Sequence, residues 1–498
     1  MLFNSIEFLI FFPIAAAIYF VIPSKIKHLW LLAASYYFYM FWNVKYALLI
    51  LTSTIVTYLS GLLIEKIKHS GKDISKQRKW KKWVVAGSFI ANLGILFFFK
   101  YVNFAFQIMA GMFSVLHVEW KVPAFDVMLP VGISFYTFQA LGYTMDVYRD
   151  EICAEKNFIR YALFVSFFPQ LVAGPIERSK NLLKQLAVPK KFCFEDAREG
   201  YLLMLWGFFL KVVLADRIAI FVDTVYGDYH TYAGIYLMVA TILFAVQIYC
   251  DFSGYSIIAM GAAKILGIQL MENFDAPFLS TSVAEFWGRW HISLASWLKD
   301  YLYITLGGSR KGKARKYINE MIVFLVSGLW HGAQFTFVVW GILNGLYQVI
   351  GEILMPVRKR LAAFLHWNRE SLGHKLLCMV GTFILVDFSL LFFRAPRLKE
   401  AFAIIRCMVQ VRNPWVLFDG SLYTCGLDEK NFTLMILAVF VLLFADICKA
   451  KAIKIREVII RQDGWFRWLL ISCTITAILL FGIWGPSFDQ ASFIYFQF

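Results

Sequence analysis

Charged residues are scarce in this chain of 498 residues: only 16% are Asp, Glu, Lys or Arg, against about 25% in ordinary soluble domains. Apolar residues make up 60%, and the mean hydropathy is +0.64. A soluble protein of this length needs polar residues to cover several domain surfaces, and too few are present here. The composition also excludes a disordered chain, a coiled coil and a collagen-like repeat. The sequence therefore predicts an all-α integral membrane protein.

Paired cysteines are missing as well. The eight cysteines are scattered, none belongs to a CxxC pair, and most lie in or beside apolar runs. In such places a free cysteine behaves as a small hydrophobic side chain. We therefore predict neither a disulfide framework nor a metal site.

Acidic residues are outnumbered, since 33 Asp and Glu face 49 Lys and Arg, and the net charge is +16. The basic residues lie in short connectors between apolar runs, where they encode orientation in a multi-spanning protein. We therefore expect no nucleic-acid partner, although a soluble protein with this excess would suggest one. The connector 66–82 has eight Lys and Arg against Asp73 and predicts the cytoplasmic side. Counting spans back from this connector places the N-terminus outside the cytoplasm.

Apolar runs long enough to cross, or nearly cross, a bilayer recur along the chain. They lie at about 6–22, 29–41, 46–64, 83–100, 127–148, 200–222, 233–250, 253–270, 318–330, 334–350, 375–393, 431–448 and 466–484. Shorter stretches at 104–116, 158–176 and 283–305 are interpreted as re-entrant or interfacial segments. The basic segment 394–430 must lie outside if its neighbours each cross once, which a helix on the membrane surface would allow.

These runs predict roughly 11–13 membrane-embedded helices. With no internal repeat and no low-complexity linker in the sequence, we expect one polytopic domain over 1–498. Its motif core lies at about 127–350, and C-terminal helices follow at 375–498.

A histidine lies within the apolar zone, in the run Ser327–Gly332. Polar groups at this depth are costly and are usually functional. Glycines flank Trp330 and His331 and should break the helix, and irregular backbone survives in a membrane only beside a cavity. A neutral imidazole there can take a proton from a hydroxyl and later return it. His331 is therefore a candidate catalytic base, and a buried structural histidine is the alternative interpretation.

A second histidine, His291, follows an aromatic run that also contains Glu285, Arg289 and Trp290. Glu285 and Arg289 are one helical turn apart and can form an ion pair. The aromatic side chains fall near one helix face, which more often indicates packing than a cofactor site. His291 is a second catalytic group, an orienting partner or a structural histidine, and the residues alone leave these interpretations open.

Two further runs interrupt the apolar pattern. In the run 247–255, Asp251 could pair with Arg289 or orient a histidine, and Ser253 is a hydroxyl in the same stretch. The alternative is a polar bridge that breaks the helix. In the run 168–178, two prolines and a glycine make a continuous spanning helix unfavourable.

A glycine-rich basic run, Gly307–Lys313, follows the aromatic run. Its exposed amides and basic side chains can hold the phosphates of a nucleotide-type carrier or of lipid head groups. The spacing is not that of a P-loop, and a cytoplasmic topology signal is the alternative interpretation. The candidate phosphate-binding residues are Ser309, Arg310, Lys311 and Lys313.

Together, these runs resemble the membrane-bound O-acyltransferase family. The matching runs are FPQLVAGPIERS (168–179), YCDFSGYS (249–256), FWGRWHISLASWLKDYLYITLGGSR (286–310) and SGLWHG (327–332). The runs FFRA (392–395) and FIYFQF (493–498) look like the bacterial alginate O-acetylation branch. Each run is weak by itself, but the set in this order is specific and spans nearly the whole chain.

The resemblance implies a ring of helices, including re-entrant segments, around a central funnel. It implies that the acyl donor enters from the cytoplasm and the acceptor from the opposite side. It matches His331 to the principal catalytic histidine and His291 to a second histidine found in this branch. The polar and aromatic residues expected to support them or to line the tunnel are Asp251, Glu285, Arg289, Trp330, Trp290 and Ser253.

The resemblance also implies the substrates and the partners. We expect acetyl-CoA as donor substrate with no tightly bound cofactor, and an exported cell-surface polysaccharide as acceptor. A separate extracytoplasmic acetyltransferase would hand the group on, and the chain would lie among lipids in a bacterial plasma (inner) membrane. D-alanyl transfer to teichoic acid is the alternative, and the apolar runs after 395 count against it. A transporter commonly has repeats with paired broken helices, and the sequence shows none.

Overall fold

The computed structural model describes residues 1–71, 73–117, 120, 129–172 and 174–484. Within these ranges it contains helices and no β-strand. The chain forms two compact units, one from Met1–Met204 with Ile258–Met271, the other from Leu205–Ile257 with Glu272–Phe498. The single domain over 1–498 stays a prediction.

The described residues of the first unit begin with nine helices of different lengths. They are α1 (Ile6–Val21), α2 (Lys27–Met40), α3 (Val44–Lys68), α4 (Ile74–Leu96), α5 (Val102–Val115), α6 (Ile133–Tyr148), α7 (Phe158–Ser166), α8 (Phe168–Leu171) and α9 (Ser179–Leu186). Helix α6 is buried along nearly its whole length and packs against α3 and α4. The unit also contains the first residues of α10 (Phe194–Phe208) and the last residues of α12 (Ile235–Ile265).

Two sequence interpretations in this unit have different outcomes. A π turn at Phe97–Tyr101 continues α4 into α5, so the stretch 104–116 extends a long helix and is not a separate re-entrant segment. The run 168–178 breaks as predicted: α8 ends at Leu171, and the next helix begins at Ser179.

The second unit contains the remaining helices. They are α11 (Asp216–Gly227), α13 (Val283–Arg289), α14 (Ile292–Trp297), α15 (Lys313–His331), α16 (Phe335–Ile353), α17 (Met355–Phe364), α18 (Leu372–Arg394), α19 (Leu398–Gln410), α20 (Glu429–Ala450), α21 (Ile455–Ile460) and α22 (Gly464–Phe481). Single π turns lie at Phe209–Ala215 and Leu298–Tyr303. Short 3₁₀ turns lie at Pro277–Leu279, Pro414–Leu417 and Ser421–Thr424.

Seven helices of the described residues are long and apolar enough to cross a membrane. They are Val44–Lys68, Ile74–Val115, Ile235–Ile265, Phe335–Ile353, Leu372–Arg394, Glu429–Ala450 and Gly464–Phe481. This set confirms the all-α multi-pass membrane class. The total of roughly 11–13 embedded helices and their ring around a funnel stay predictions.

One expected break is absent. The sequence separates apolar runs at 233–250 and 253–270, but the structure has the single 31-residue helix α12 across both. The physical reason lies in Asp251, whose charge is compensated by a neighbouring lysine (below), so that the helix need not break to hydrate it.

Close packing between α15 and α16 sets the position of the candidate site. A Cβ atom on Gly328 of α15 would overlap the carbonyl oxygen of Phe337, and one on Gly341 of α16 would lie 2.5 Å from the carbonyl oxygen of Phe324. The two helices therefore approach so closely that only glycine fits at these contacts. Helix α16 packs in turn against α18.

The basic segment 394–430 contains a helix, α19, which is compatible with the suggested helix on the membrane surface. Helix α19 buries Ala401 and Ile404 and exposes Phe402 and Val409. The segment is thus helical in part, and its place on the extracytoplasmic surface of the membrane stays a prediction.

Candidate active site

His331 is the last residue of α15 and is almost fully buried, at 5% exposure. The helix ends there because Gly332 is extended, with φ −158° and ψ 151°. Its N–H still donates to the carbonyl of Gly328, at 3.3 Å. The predicted break beside the Trp330–His331 pair is therefore confirmed.

His291 lies in the short connection between α13 and α14 and is 1% exposed. Its backbone is left-handed, with φ 44° and ψ 51°. A residue with a Cβ atom pays roughly 1–2 kcal/mol for this conformation, and such strain is concentrated at functional sites. The surrounding structure must therefore stabilise this backbone conformation.

A helical reversal brings the two histidines together. From His291 the chain runs out along α14 and the π turn 298–303 to the glycine-rich loop, and it returns along α15 to His331. Helix α15 packs against that π turn. The imidazole centroids of His291 and His331 are 6.2 Å apart, although 39 residues separate them in the sequence.

Aromatic rings surround both imidazoles. His331 makes edge contacts with Trp340 at 5.2 Å and Phe393 at 5.3 Å. His291 makes an edge contact with Phe252 at 4.7 Å, and the Trp330 ring lies 5.7 Å from it. Edge-to-face contacts at these distances favour fixed ring orientations. These four rings are called the aromatic cage here, and both imidazoles within it are almost inaccessible to solvent.

Asn273 contacts His291 directly. The His291 Nδ1 atom lies 3.2 Å from the side-chain oxygen of Asn273. The same oxygen accepts hydrogen bonds from the backbone N–H of Ser293, at 3.2 Å, and from its hydroxyl, at 2.9 Å. All three side chains are buried.

Asp251 is paired with a residue that the sequence interpretation did not consider. Its carboxylate is 2.6 Å from the ammonium of Lys211, and Asp216 is 2.8 Å from the same ammonium. These three side chains are each 2% exposed, and the Lys211 ammonium also lies 5.4 Å from the Tyr255 ring. The suggested Asp251–Arg289 pair is thus replaced by an Asp251–Lys211 pair.

Arg289 has the partner that the helical spacing suggested. Its guanidinium is 2.7 Å from the Glu285 carboxylate, whose second oxygen accepts from the backbone and hydroxyl of Thr281 at 2.8 and 2.7 Å. The pair is partly exposed, at 28% and 32% of the two side chains. Trp290 is buried against Phe286, with centroids 5.3 Å apart.

Ser253 is buried in α12, next to Phe252, which contacts His291. Its hydroxyl makes no hydrogen bond to another described residue. Such a group is costly in an apolar interior. Its assignment to a polar tunnel stays a prediction.

The glycine-rich loop between the π turn and α15 has a defined shape. Gly307, Gly308 and Gly312 all have positive φ, from 57° to 105°. The Asn319 amide, buried on α15, donates to the Gly308 carbonyl at 2.8 Å. This backbone leaves the four candidate phosphate-binding side chains exposed: Ser309, Arg310, Lys311 and Lys313.

Comparison with known proteins identifies the family. The sequence profile described as MBOAT, membrane-bound O-acyltransferase family, matches residues 37–393, well over half of the chain and including both histidines. The chain belongs to the membrane-bound O-acyltransferase family. The family resemblance of the sequence is thereby confirmed, and the protein is a multi-pass membrane acyltransferase.

Proteins similar to this acyltransferase include two named for O-acetylation and one named for D-alanyl transfer. The probable alginate O-acetylase AlgI of Pseudomonas aeruginosa is 35% identical over 446 residues, covering 89% of this chain and 81% of that protein. The peptidoglycan O-acetyltransferase of Helicobacter pylori is 33% identical over 82% of this chain and 80% of its own. The teichoic acid D-alanyltransferase of Bacillus subtilis is 25% identical over 65% of this chain and 81% of its own.

Some predicted positions lie outside the described residues, namely Ala173 and the ending 493–498 of the family runs, and residues 127–128 of the predicted span 127–148. Sequence reasoning on this acyltransferase also missed two kinds of residue. Lys211 stands in the middle of the apolar run 200–222, and this cation in an apolar run was a readable signal. Asn273, in contrast, lies in a connection with no periodicity, and no local pattern indicates its contact with His291.

Proposed function

We propose that this acyltransferase takes an acetyl group from acetyl-CoA and transfers it to hydroxyls of an exported cell-surface polysaccharide. The observation that carries the proposal is the pair of buried histidines, 6.2 Å apart in an aromatic cage, in a chain of this family. The relatives named as O-acetylating proteins, at 33–38% identity, support acetyl as cargo over D-alanyl, whose named relatives are 25–28% identical.

His331 acts as the general base in this proposal. Its imidazole takes the proton of the acceptor hydroxyl while the hydroxyl oxygen attacks the carbonyl carbon of the thioester. The carbon–sulfur bond breaks, and the leaving thiolate takes the proton back from the imidazolium. The products are an acetyl ester and free CoA, and the histidine returns to its starting state. General-base assistance of this kind contributes about 10²–10⁴ in rate.

His291 supports the same step from the opposite side of the cage. A ring within 6.2 Å of His331 lies within reach of an atom held between the two, so that it can polarise the thioester carbonyl or orient the acceptor. The cage of Trp330, Trp340 and Phe393 limits hydrolysis of the thioester because it keeps bulk water away from the carbonyl.

The glycine-rich loop binds the donor phosphates in this proposal. Lys311 and Lys313 are exposed beside backbone amides in left-handed conformations, which is an arrangement suited to anions. We further propose that the loop faces the cytoplasm of a bacterial cell, with the N-terminus on the other side of the inner membrane. A partner acetyltransferase outside the cytoplasm would receive the acetyl group or transfer it onward.

The first test replaces the base. We expect His331→Ala to abolish acetylation of the surface polysaccharide, measured as ester-linked acetate per mass of glycan in cells with equal amounts of protein in the membrane. The matched control is His374→Ala, because His374 lies in the first turn of α18, where its ring approaches Cys378. Normal acetate in His331→Ala cells, or equal loss in both variants, contradicts the assignment.

A second test identifies the cargo. Membranes with the wild-type chain receive either labelled acetyl-CoA or an activated labelled D-alanine, and label in the glycan is counted against His331→Ala membranes. We expect acetate and no alanine to be incorporated. Incorporation of alanine alone would replace the proposed cargo by the alternative.

A third test addresses the loop. We expect Lys311→Gln with Lys313→Gln to raise KM for acetyl-CoA with little change in kcat, because the ammonium groups bind the donor phosphates equally in the ground state and in the transition state. The KM for an acetyl thioester of cysteamine, which carries no phosphate, should not change. Lys359→Gln with Arg360→Gln, on the exposed helix α17, is the control. Equal effects on both thioesters would refute phosphate binding by the loop.

A further inference from the structure

Asn273 holds two neighbouring residues through a single oxygen atom. It is 1% exposed and lies in the connection after α12. Its side-chain oxygen contacts the backbone N–H of Ser293, the hydroxyl of Ser293 and Nδ1 of His291, at 3.2, 2.9 and 3.2 Å. Its backbone carbonyl accepts from the N–H of Ile292 at 3.0 Å. One residue therefore engages three consecutive positions, from 291 to 293.

The Ser293 contact fixes which way the Asn273 amide points. Oxygen and nitrogen of a side-chain amide are assigned from their partners, and a backbone N–H can only donate. The atom that faces the N–H of Ser293 must therefore be the oxygen. The Ser293 hydroxyl, at 2.9 Å from the same atom, donates to it as well.

The fixed amide in turn fixes the proton on His291. An amide oxygen cannot donate, so the hydrogen bond between it and Nδ1 requires a proton on Nδ1. In a neutral imidazole only one nitrogen is protonated, and Nε2 is then the nitrogen with the lone pair. The strained left-handed backbone of His291 is stabilised by the same residue, through the Ile292 hydrogen bond.

We propose that Asn273 is a positioning residue that holds His291 in the tautomer protonated at Nδ1, with the Nε2 lone pair as its reactive side. The proposed role in acyl transfer rests on the function proposed above for the histidine pair. In that tautomer, Nε2 of His291 accepts a hydrogen bond from the acceptor and cannot donate one to the thioester carbonyl, so of the two roles given above for this ring only orientation of the acceptor remains. The opposite tautomer would present an N–H at that place and would reverse the role of the ring.

The direct test reads the tautomer and does not depend on activity. The full-length protein, labelled with ¹⁵N-histidine, is studied in lipid bilayers by solid-state NMR, and the His291 signals are assigned by their loss in His291→Gln. We expect protonated Nδ1 and unprotonated Nε2 in the wild type and in Asn273→Asp. In Asn273→Leu we expect a mixture or the reverse tautomer. Protonation of Nε2 instead of Nδ1 in the wild type would overturn the proposal.

The functional test separates positioning from folding. We expect Asn273→Leu to lower kcat of acetyl transfer by roughly 10–100-fold, the loss typical of groups that orient metal-binding histidines. Asn273→Asp keeps the acceptor, so most of the activity should return, and the acidic limb of kcat/KM should move to higher pH because a carboxylate stabilises a protonated ring. Asn92→Leu is the control, since Asn92 is a buried asparagine of α4, 2% exposed, bonded to Ser53 and Ser88.

The outcomes distinguish this proposal from the function on which it rests. If the chain transfers no acyl group but His291 is protonated at Nδ1, the function fails and the tautomer assignment stands. If Asn273→Leu changes the tautomer and leaves kcat and the pH profile unchanged, the positioning role is refuted. If Asn273→Asp is as inactive as Asn273→Leu and has the wild-type tautomer, the role is refuted as well.

Discussion

The buried charges around Lys211 allow a prediction: loss of the cation and loss of one anion should change the stability of the protein by different amounts. Two carboxylates, Asp216 and Asp251, contact one ammonium at 2.8 and 2.6 Å, and all three side chains are 2% exposed. The cluster therefore has one more negative than positive formal charge. Replacing the lysine leaves two buried carboxylates side by side, whereas replacing Asp216 by asparagine leaves a balanced pair.

The magnitudes follow from the distances. At an effective dielectric of about 20, charges 2.6 Å apart attract by roughly 6 kcal/mol, and burial costs several kcal/mol per ion. In the intact cluster, the free energy gained by attraction and the free energy lost by burial therefore nearly cancel. Lys211→Met removes the attraction and keeps the cost of the carboxylates, so we expect a loss of about 3–5 kcal/mol. Asp216→Asn should cost only about 1 kcal/mol, the value of one hydrogen bond.

Thermal stability in detergent measures this difference. The full-length variants are heated, and the fraction that remains monodisperse is followed by size-exclusion chromatography. We expect Lys211→Met to have a midpoint far below that of Asp216→Asn, and the triple variant with both aspartates also changed to asparagine to recover part of the loss. A midpoint for Asp216→Asn as low as that for Lys211→Met would refute charge balance as the origin of stability here.

Two further predictions concern packing and pH. A side chain at Gly328 would overlap the Phe337 carbonyl, so Gly328→Val should lower the free energy of unfolding by about 1–3 kcal/mol and abolish most of the acyl transfer. The control is Gly381→Val on α18, where a Cβ atom has no neighbour within 4 Å. It should have little effect on thermal stability or on acyl transfer. The 2.9 Å Lys68 contact holds the pKa of Asp150 below its ordinary value of 3.8. The Lys68–Asp150 pair should contribute about 1 kcal/mol or less to the free energy of unfolding, because it is partly exposed. In thermal scans this contribution should be complete at neutral pH and lost as the pH falls below 3.8. It should be absent in Asp150→Asn.

Much of the fold was predictable from the sequence because a helix that crosses the bilayer needs a long apolar run. The runs at 46–64, 334–350 and 375–393 correspond to α3, α16 and α18, within a few residues at most ends. The errors concern continuity. Asp251 suggested a break that α12 does not have. The residue that compensates its charge, Lys211, is distant in sequence, so no local pattern indicates the pair. Likewise, a π turn at Phe97–Tyr101 joins two segments that composition alone separates.

The candidate site was predictable where backbone breaks mark it. Glycines beside His331 predicted the end of α15, and the helical spacing predicted the Glu285–Arg289 pair. The contacts that depend on three-dimensional proximity were not predictable, because Asn273 is 18 residues from His291 and lies in a connection without a pattern. The roles of the histidines and of the loop stay proposals.

The length of the helices between the histidines and the glycine-rich loop limits which acyl donors can contact both the loop and the histidine pair. From His291 to the loop, residues 292–303 span about 18 Å at 1.5 Å per residue, and the 19 residues of α15 span about 28 Å back to His331. The arm of acetyl-CoA, from its nearest phosphate to the acetyl carbon, has about fourteen bonds and extends roughly 17 Å at about 1.2 Å per bond. If the loop holds a donor phosphate as proposed, this arm is long enough to bring the thioester close to the histidine pair along the shorter helical path. In the proposed tautomer, the Nε2 lone pair of His291 cannot donate to the thioester carbonyl, so His291 would orient the acceptor while His331 activates its hydroxyl.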